Sequence, residues 1–385
     1  MMYVAVFFMP ALRRIYLLKR VGWRYRMNRM KRKKKAKFSK KQRFVLRFLG
    51  TMAGLLLLVY AGLIFLKSWI KPPDYPDIED AEAAFANPEG NDEDMLIGGG
   101  SYAPEGFTNE DRKELFYTFL IFGLDGGVNT DTIMVASYDG INNAAAVINI
   151  PRDSLVNVKR SLKKINAAYP VGTQNGGGHE GGVSQLKREI KTIIGFSPDF
   201  YICIDLEAFE RIVDAVGGVE LYVPFDMKYD DPYQDLHIDI KKGDQRLNGA
   251  EALKFARYRK GNNSRDTISD YTRIEHQQTV IKAVLGNLLK PANILKIPEF
   301  IDIFSKNVRS DMKIENMLWF AEQLNQIRGA DALSTYTIPT AGTSGLPSYY
   351  EYLDEAGIVE LVNQSINPYK KDIQAKDIDI LAGIK

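Results

Sequence analysis

Nineteen consecutive residues without a charge, Phe48 to Leu66 (FLGTMAGLLLLVYAGLIFL), constrain this chain more than any other feature. As a helix they reach roughly 28 Å, close to the hydrocarbon thickness of a bilayer. The flanks decide against a buried soluble helix. Residues 1–47 hold 17 Lys and Arg and no acid, and the first acidic residue is Asp74. Clustered basic residues stay on the cytoplasmic side, so 48–66 reads as a transmembrane helix, with 1–47 inside and the remainder outside the cell membrane. No A-x-A-like cleavage site follows at the distance a signal peptide needs, so the anchor reads as uncleaved. Residues 1–26 include the apolar stretch MMYVAVFFMP, too short to span. It reads either as a second membrane-touching element or as a start placed upstream of Met27 or Met30.

The near-neutral sum of 51 basic and 48 acidic residues conceals an asymmetry, because only 34 basic residues lie beyond position 47, where all the acids are. An acidic bulk excludes nucleic-acid binding by general basic charge. The single cysteine, Cys203, excludes an intrachain disulfide framework and any multi-cysteine metal site. Residues 67–114 read as an extracellular linker. From Pro72 onward they hold 13 acidic and two basic residues with several prolines and Gly98-Gly99-Gly100, a composition that buries too little apolar surface to fold alone.

From Leu115 onward strands and helices alternate. Apolar runs at Phe116–Phe122, Thr132–Tyr138 and Ala144–Ile150 fit strands covered on both faces. Val183–Ile194 has helical spacing and stops at Gly195. Phe200–Ile204 leads into a helix over Leu206–Val216, and Val219–Val223 returns as a strand. Asn248-x-x-Glu251 has the form of a capping box before a helix over Ala250–Tyr258. A long helix follows over Ser269–Leu289, then a helix near Ile314–Ile327, a strand at Thr335–Ile338 and a helix near Ile358–Ser365. The expected fold is a single α/β domain over 115–370, an α-β-α sandwich with a mixed central sheet, followed by a tail over 371–385.

Ligands of open α/β sheets sit at the carboxyl ends of strands, where several unexpected charges fall. Asp125 follows the first strand, Asp131 precedes the second, and Arg152 and Asp153 follow the third. Two carboxylates there suit a hard divalent cation such as Mg²⁺, although Asp in Gly-rich turns is also ordinary turn chemistry. A second group is basic. Arg257 and Arg259 end one helix, and Arg273 and Gln277 share a face of the next. Arginine forks suit phosphate oxygens, so the combination describes pyrophosphate handling. Cys203 falls in a core strand and reads as inert. The run Asn175-GGGHEGG-Val183 reads as a flexible surface loop with His179 incidental, and His237 reads as a surface histidine.

The ordered motifs Phe122-Gly-Leu-Asp125…Asp131-Thr-Ile-Met, Ile150-Pro-Arg-Asp153, Lys164-Ile-Asn-Ala-Ala-Tyr169, Ile212-Val-Asp-Ala-Val-Gly-Gly-Val219, Leu247-Asn-Gly-Ala-Glu-Ala-Leu253, Arg257-Tyr-Arg259 and Asp270-x-x-Arg273-x-x-x-Gln277 resemble the LytR–CpsA–Psr family. The resemblance covers about residues 115–290, with looser similarity to about 370. It implies an extracellular phosphotransferase that moves a glycopolymer, such as teichoic acid or capsule, from a polyprenyl-pyrophosphate carrier to peptidoglycan. It also implies Mg²⁺ (or Mn²⁺) as cofactor and pyrophosphate hydrolysis as a side activity. By matching positions, Asp125 and Asp131 look like metal ligands. Arg152, Arg257, Arg259, Arg273 and Gln277 look like pyrophosphate ligands, and Asp153 like a residue that orients Arg152. Asp125, Asp131, Arg152 and Arg259 are the expected catalytic set.

Two positions depart from the pattern. Asn129 and His276 stand where the family usually has arginine, each losing a fixed cation; His276 is expected to regain one at mildly acidic pH. A non-catalytic protein that holds lipid-linked polymer is therefore the main alternative. A transcription attenuator is the weaker one, because the short basic segment shows no helix-turn-helix.

Overall fold

The computed structural model describes residues 70–76, 103–125, 129–232, 236–262, 267–288, 290, 296–324, 326–327, 332–344 and 349–381. The apolar run 48–66 lies outside them, and among the described residues no helix is long and apolar enough to cross a membrane.

Six strands form the central sheet, in the order β10-β3-β2-β1-β4-β9. They are β1 (Phe116–Asp125), β2 (Asn129–Asp139), β3 (Ala144–Asn149), β4 (Phe200–Asp205), β9 (Val308–Ser310) and β10 (Leu333–Thr337). β1, β3, β4 and β10 run in one direction; β2 and β9 run against them. The sheet is mixed, as expected. This topology collects the carboxyl ends of four strands and the beginnings of β2 and β9 along one edge.

Strand side chains alternate between faces, and here both faces are apolar. Leu120, Phe122, Leu124, Ile133, Val135 and Ile148 point into the larger core. Packed over that face are α1 (Ala168–Gly172), α2 (Gly178–Ile194) and α8 (Glu355–Ser365), through Tyr169, Leu186, Ile190, Ile193, Ile358 and Val362. The alternate residues Tyr117, Phe119, Tyr138 and Phe200 meet Trp319 and Phe320 of α7 (Ile314–Leu324) on the opposite face. A third core fills the part of the domain that follows β4. It joins α3 (Leu206–Ala215), β5 (Val219–Val223), β6 (Met227–Asp231), β7 (Leu236–Ile240), β8 (Gly243–Leu247), α4 (Gly249–Arg257) and α5 (Asp270–Leu288). Beyond these lie α6 (Ile297–Asn307) and the short strands β11 (Thr340–Thr343) and β12 (Glu351–Leu353).

Three boundaries differ from the expectation. The packed domain begins before residue 115: Ala103 is buried in the larger core, and Tyr75 stacks on Tyr117 with ring centroids 5.1 Å apart. Residues 70–76 and 103–114 of the expected linker therefore lie against the sheet domain, because aromatic and apolar residues interrupt the acidic composition there. The expected tail is packed too. Ile373 and Ile378 are buried, and the Asp379 amide donates to Thr192 O at 2.7 Å. Finally, 175–183 is helical and forms no surface loop. Residues 173–177 make one wide helical turn and α2 starts at Gly178. The glycines serve helix packing, since a Cβ on Gly172 would lie 2.2 Å from Gly181 O and one on Gly182 2.6 Å from the Tyr169 ring.

Candidate active site at the strand carboxyl edge

Asp131 and Arg152 meet at the strand edge. Arg152 Nη1 donates to Asp131 Oδ1 at 2.6 Å, and Arg152 Nε lies 3.7 Å from Asp153 Oδ2. Lys164 Nζ closes the chain on Asp153 Oδ1 at 2.7 Å. The local sequence explains this. Pro151 ends β3, and the Ser154 amide turns back onto Pro151 O, so Arg152 and Asp153 project from a tight turn beside the start of β2. Asp153 is thus shared between a guanidinium and an ammonium. The Asp131 side chain is 33% exposed and remains open to a ligand.

Asp125 ends β1, its Cα opposite Asn129 and two residues along β2 from Asp131. The side chains of Asp125 and Asn129 lie outside the described structure. Oxygen donors from two paired strands are the right chemical class for Mg²⁺ or Mn²⁺. Among the described residues, no group of three or more His, Cys, Asp or Glu side chains gathers as a metal site.

The basic group sits on α4 and α5. Arg257 is half-buried at the end of α4, Arg259 is exposed just beyond it, Arg273 is buried and Gln277 half-buried. Contacts tie α5 to the strand edge. Gln278 Nε2 donates to Tyr336 O at 3.3 Å, at the end of β10, and the Tyr271 hydroxyl lies 2.7 Å from Thr340 Oγ1. The structure thus brings together Asp131, Arg152 and Asp153 by direct contact, while α5 reaches the edge through Gln278. His276 supplies no charge there. It is buried between Phe255 (4.5 Å between ring centroids) and Phe225, and burial pushes its pKa down to about 4. The expected recovery of a cation at mildly acidic pH is corrected accordingly: an apolar cage favours the neutral imidazole.

Several residues here escaped the sequence reading. Glu351 is 2% exposed, and its amide donates to Asp153 O at 2.9 Å. Its carboxylate accepts from the hydroxyls of Tyr349 and Tyr271. Burial and that hydrogen bond push the Tyr349 phenol pKa upward, keeping the hydroxyl a donor. The only available signal was an aromatic-acid run, Tyr349-Tyr350-Glu351-Tyr352, inside a loop rich in Gly, Pro and Ser. A cavity of about 310 Å³ opens at the ends of β1 and β4, lined by Leu124, Cys203, Asp205, Leu206, Glu207, Asn307 and Arg309. Cys203 is buried in β4, and burial pushes its pKa up to about 12, which keeps the thiol protonated. His179 is held by the Tyr169 hydroxyl at 2.8 Å inside the helical packing. His237 pairs with Asp230 on the exposed β6–β7 hairpin, an ordinary surface histidine.

Comparison with known proteins agrees with this fold. The chain is 28% identical over 215 residues to the polyisoprenyl-teichoic acid–peptidoglycan teichoic acid transferase TagV of Bacillus subtilis, covering 53% of this chain and 52% of that protein. It is 28% identical over 229 residues to the regulatory protein MsrR of Staphylococcus aureus, covering 58% and 64%. The chain thus spans only about half to two-thirds of the length of these curated relatives. The crystal structure of B. subtilis TagV superposes with a TM-score of 0.53 at 25% identity, over 65% of this chain and 95% of that one. A structure of TagT bound to LIIa-WTA has the same fold, with a TM-score of 0.51 at 19% identity over 65% and 89% of the two chains. The LytR_cpsA_psr family model matches residues 101–366, and the chain belongs to the LytR–CpsA–Psr family.

Proposed function

We propose that this protein is a membrane-anchored extracellular phosphotransferase that moves a glycopolymer from a polyprenyl-pyrophosphate carrier to peptidoglycan. The observation that carries the reading is the Asp131–Arg152 pair at the strand carboxyl edge in a chain of this family. Relatives named as teichoic acid–peptidoglycan transferases support it.

In the proposed reaction an acceptor hydroxyl attacks the sugar-side phosphorus of the donor. A new P–O bond forms, the bridging P–O bond breaks, polyprenyl phosphate leaves, and the hydroxyl proton passes to a carboxylate of the edge. Such transfer depends on positioning and charge neutralisation more than on covalent catalysis. Arg152, aimed by Asp153, would take the anionic oxygens at the same place where it now holds Asp131. Arg257, Arg259, Arg273 and Gln277 would hold the rest of the diphosphate from α4 and α5. Asp125 and Asp131 would hold Mg²⁺ or Mn²⁺, which supplies Lewis-acid neutralisation of the phosphoryl oxygens.

The test uses full-length protein in nanodiscs, a polyprenyl-pyrophosphate-linked oligosaccharide and peptidoglycan oligomers, with Mg²⁺ or with chelator. Sugar–phosphate attachment to the glycan is expected with metal only. Asp131→Ala and Arg152→Ala should each slow it by about 10²–10³-fold. Full transfer by both variants, or transfer indifferent to chelator, would overturn the site assignment. The neutral, caged His276 favours one second reading, a protein that binds the donor and does not transfer it. Tight donor binding with no transfer under any metal condition would select that reading.

A further inference from the structure

Tyr271 and Tyr349 are 43% and 45% exposed, yet both hydroxyls are fastened to one buried carboxylate. Glu351 Oε1 accepts from Tyr349, and Oε2 accepts from Tyr271 at 3.5 Å; Tyr271 is also 2.7 Å from Thr340 Oγ1. Glu351 itself is pinned by its backbone to Asp153 and Leu155 at 2.9 Å each. Two partly exposed aromatic side chains are therefore held through their hydroxyls, next to the turn that carries Arg152. Exposed tyrosines ordinarily hydrate their hydroxyls and turn freely. Here the ordering cost of both rings is met in the ligand-free fold, as in a preorganised binding surface.

We propose that Tyr271 and Tyr349 form the platform on which the acceptor glycan strand lies, with Glu351 as their positioning residue. This rests on the transferase reading above and names where its second substrate sits. The chemistry favours a sugar over the diphosphate donor. Beside Tyr349 lie the carboxylates of Glu351 and Asp153, the latter paired with Arg152 and Lys164; carboxylates accept hydrogen bonds from sugar hydroxyls. Flat aromatic faces match the C–H face of a pyranose ring, and rigid tyrosines supply contact area at low entropic cost. The cationic side chains expected to take the donor adjoin the platform, at Arg152 and on α5, the helix that carries Tyr271, so donor and acceptor would meet there. A glycan on the tyrosines would lie beside the turn that carries Arg152.

Hydroxyl-radical footprinting of the full-length protein in nanodiscs, with and without uncross-linked peptidoglycan glycan strands, tests this directly. Protection of Tyr271 and Tyr349 is expected. In parallel, the Tyr271→Leu/Tyr349→Leu double variant keeps apolar volume but loses the flat rings. Its affinity for the strands should fall about tenfold or more, an amount that corresponds to about 1.4 kcal/mol, while binding of polyprenyl pyrophosphate stays unchanged. Unprotected tyrosines in the wild-type protein would overturn the proposal whether or not the variant folds. Unchanged strand affinity in a folded double variant, or an equal loss for polyprenyl pyrophosphate, would overturn it as well. Both readouts report binding without turnover. Strand protection at the tyrosines without any transfer would therefore leave the platform standing and remove only the transferase reading.

Discussion

Arg152 shows how one residue is defined by the groups that hold it. Its guanidinium reaches Asp131 and Asp153, and Lys164 competes for the second. A lysine at position 152 would carry the charge but lose the planar fork. Arg152→Lys should therefore keep the fold and still lose most of the transfer rate, measurable as lower kcat with an unchanged melting temperature. His276 makes the opposite point. It stands at a position matched to a family arginine, yet it is enclosed by Phe255 and Phe225. With its pKa near 4 in the folded state and about 6.5 when unfolded, only the unfolded chain takes up this proton between those values. Its contribution is complete above pH 6.5 and is lost as pH falls toward 4, a change on the order of 3 kcal/mol. His276→Leu should flatten that part of the stability–pH curve, read by chemical denaturation from pH 7 to 4.5.

At the scale of elements, periodicity located most helices and, apart from the short β9, every strand of the central sheet, and side-chain rules located some of their ends. The Asn248-x-x-Glu251 box is present with both reciprocal bonds, at 2.9 and 3.0 Å. Asn248→Ala should cost about 1 kcal/mol, visible as a lower melting temperature. Gly195 closes α2 with a left-handed φ of 87°. The helix pair α1–α2 was not legible, because a run of glycines normally signals a loop. Here they let two helices approach until Gly172 and Gly181 touch backbone to backbone. Gly172→Ala would place a Cβ 2.2 Å from Gly181 O, and thermal unfolding should show a loss of about 1–3 kcal/mol. The strands β6, β7, β8, β9, β11 and β12, of three to five residues each, also escaped notice, since segments so short carry too little pattern to identify them.

Across the whole domain, chain segments far apart in sequence close on Arg112. Its guanidinium lies 4.6 Å from the Tyr75 ring centroid and 5.3 Å from that of Tyr369, and it donates to both oxygens of buried Asp199 at 2.8 Å. Asp199 also accepts from the amide and hydroxyl of Thr118, each at 2.8 Å. Asp199→Ala would leave a buried cation unpaired and should cost about 3–5 kcal/mol in a denaturant melt. A paired Arg112→Met/Asp199→Leu replacement should recover much of that loss. By itself, the sequence determined the class of fold, the strand-end positions of Asp125, Asp131, Arg152 and Asp153, and the family, because apolar period and motif order are local properties of the chain. Only the tertiary structure decided that His276 is caged, that the linker and tail segments pack, and that Glu351 fastens two tyrosines beside Arg152. Those outcomes depend on which distant side chains share a buried space, and burial sets both the charge state of a histidine and the partners a carboxylate must find.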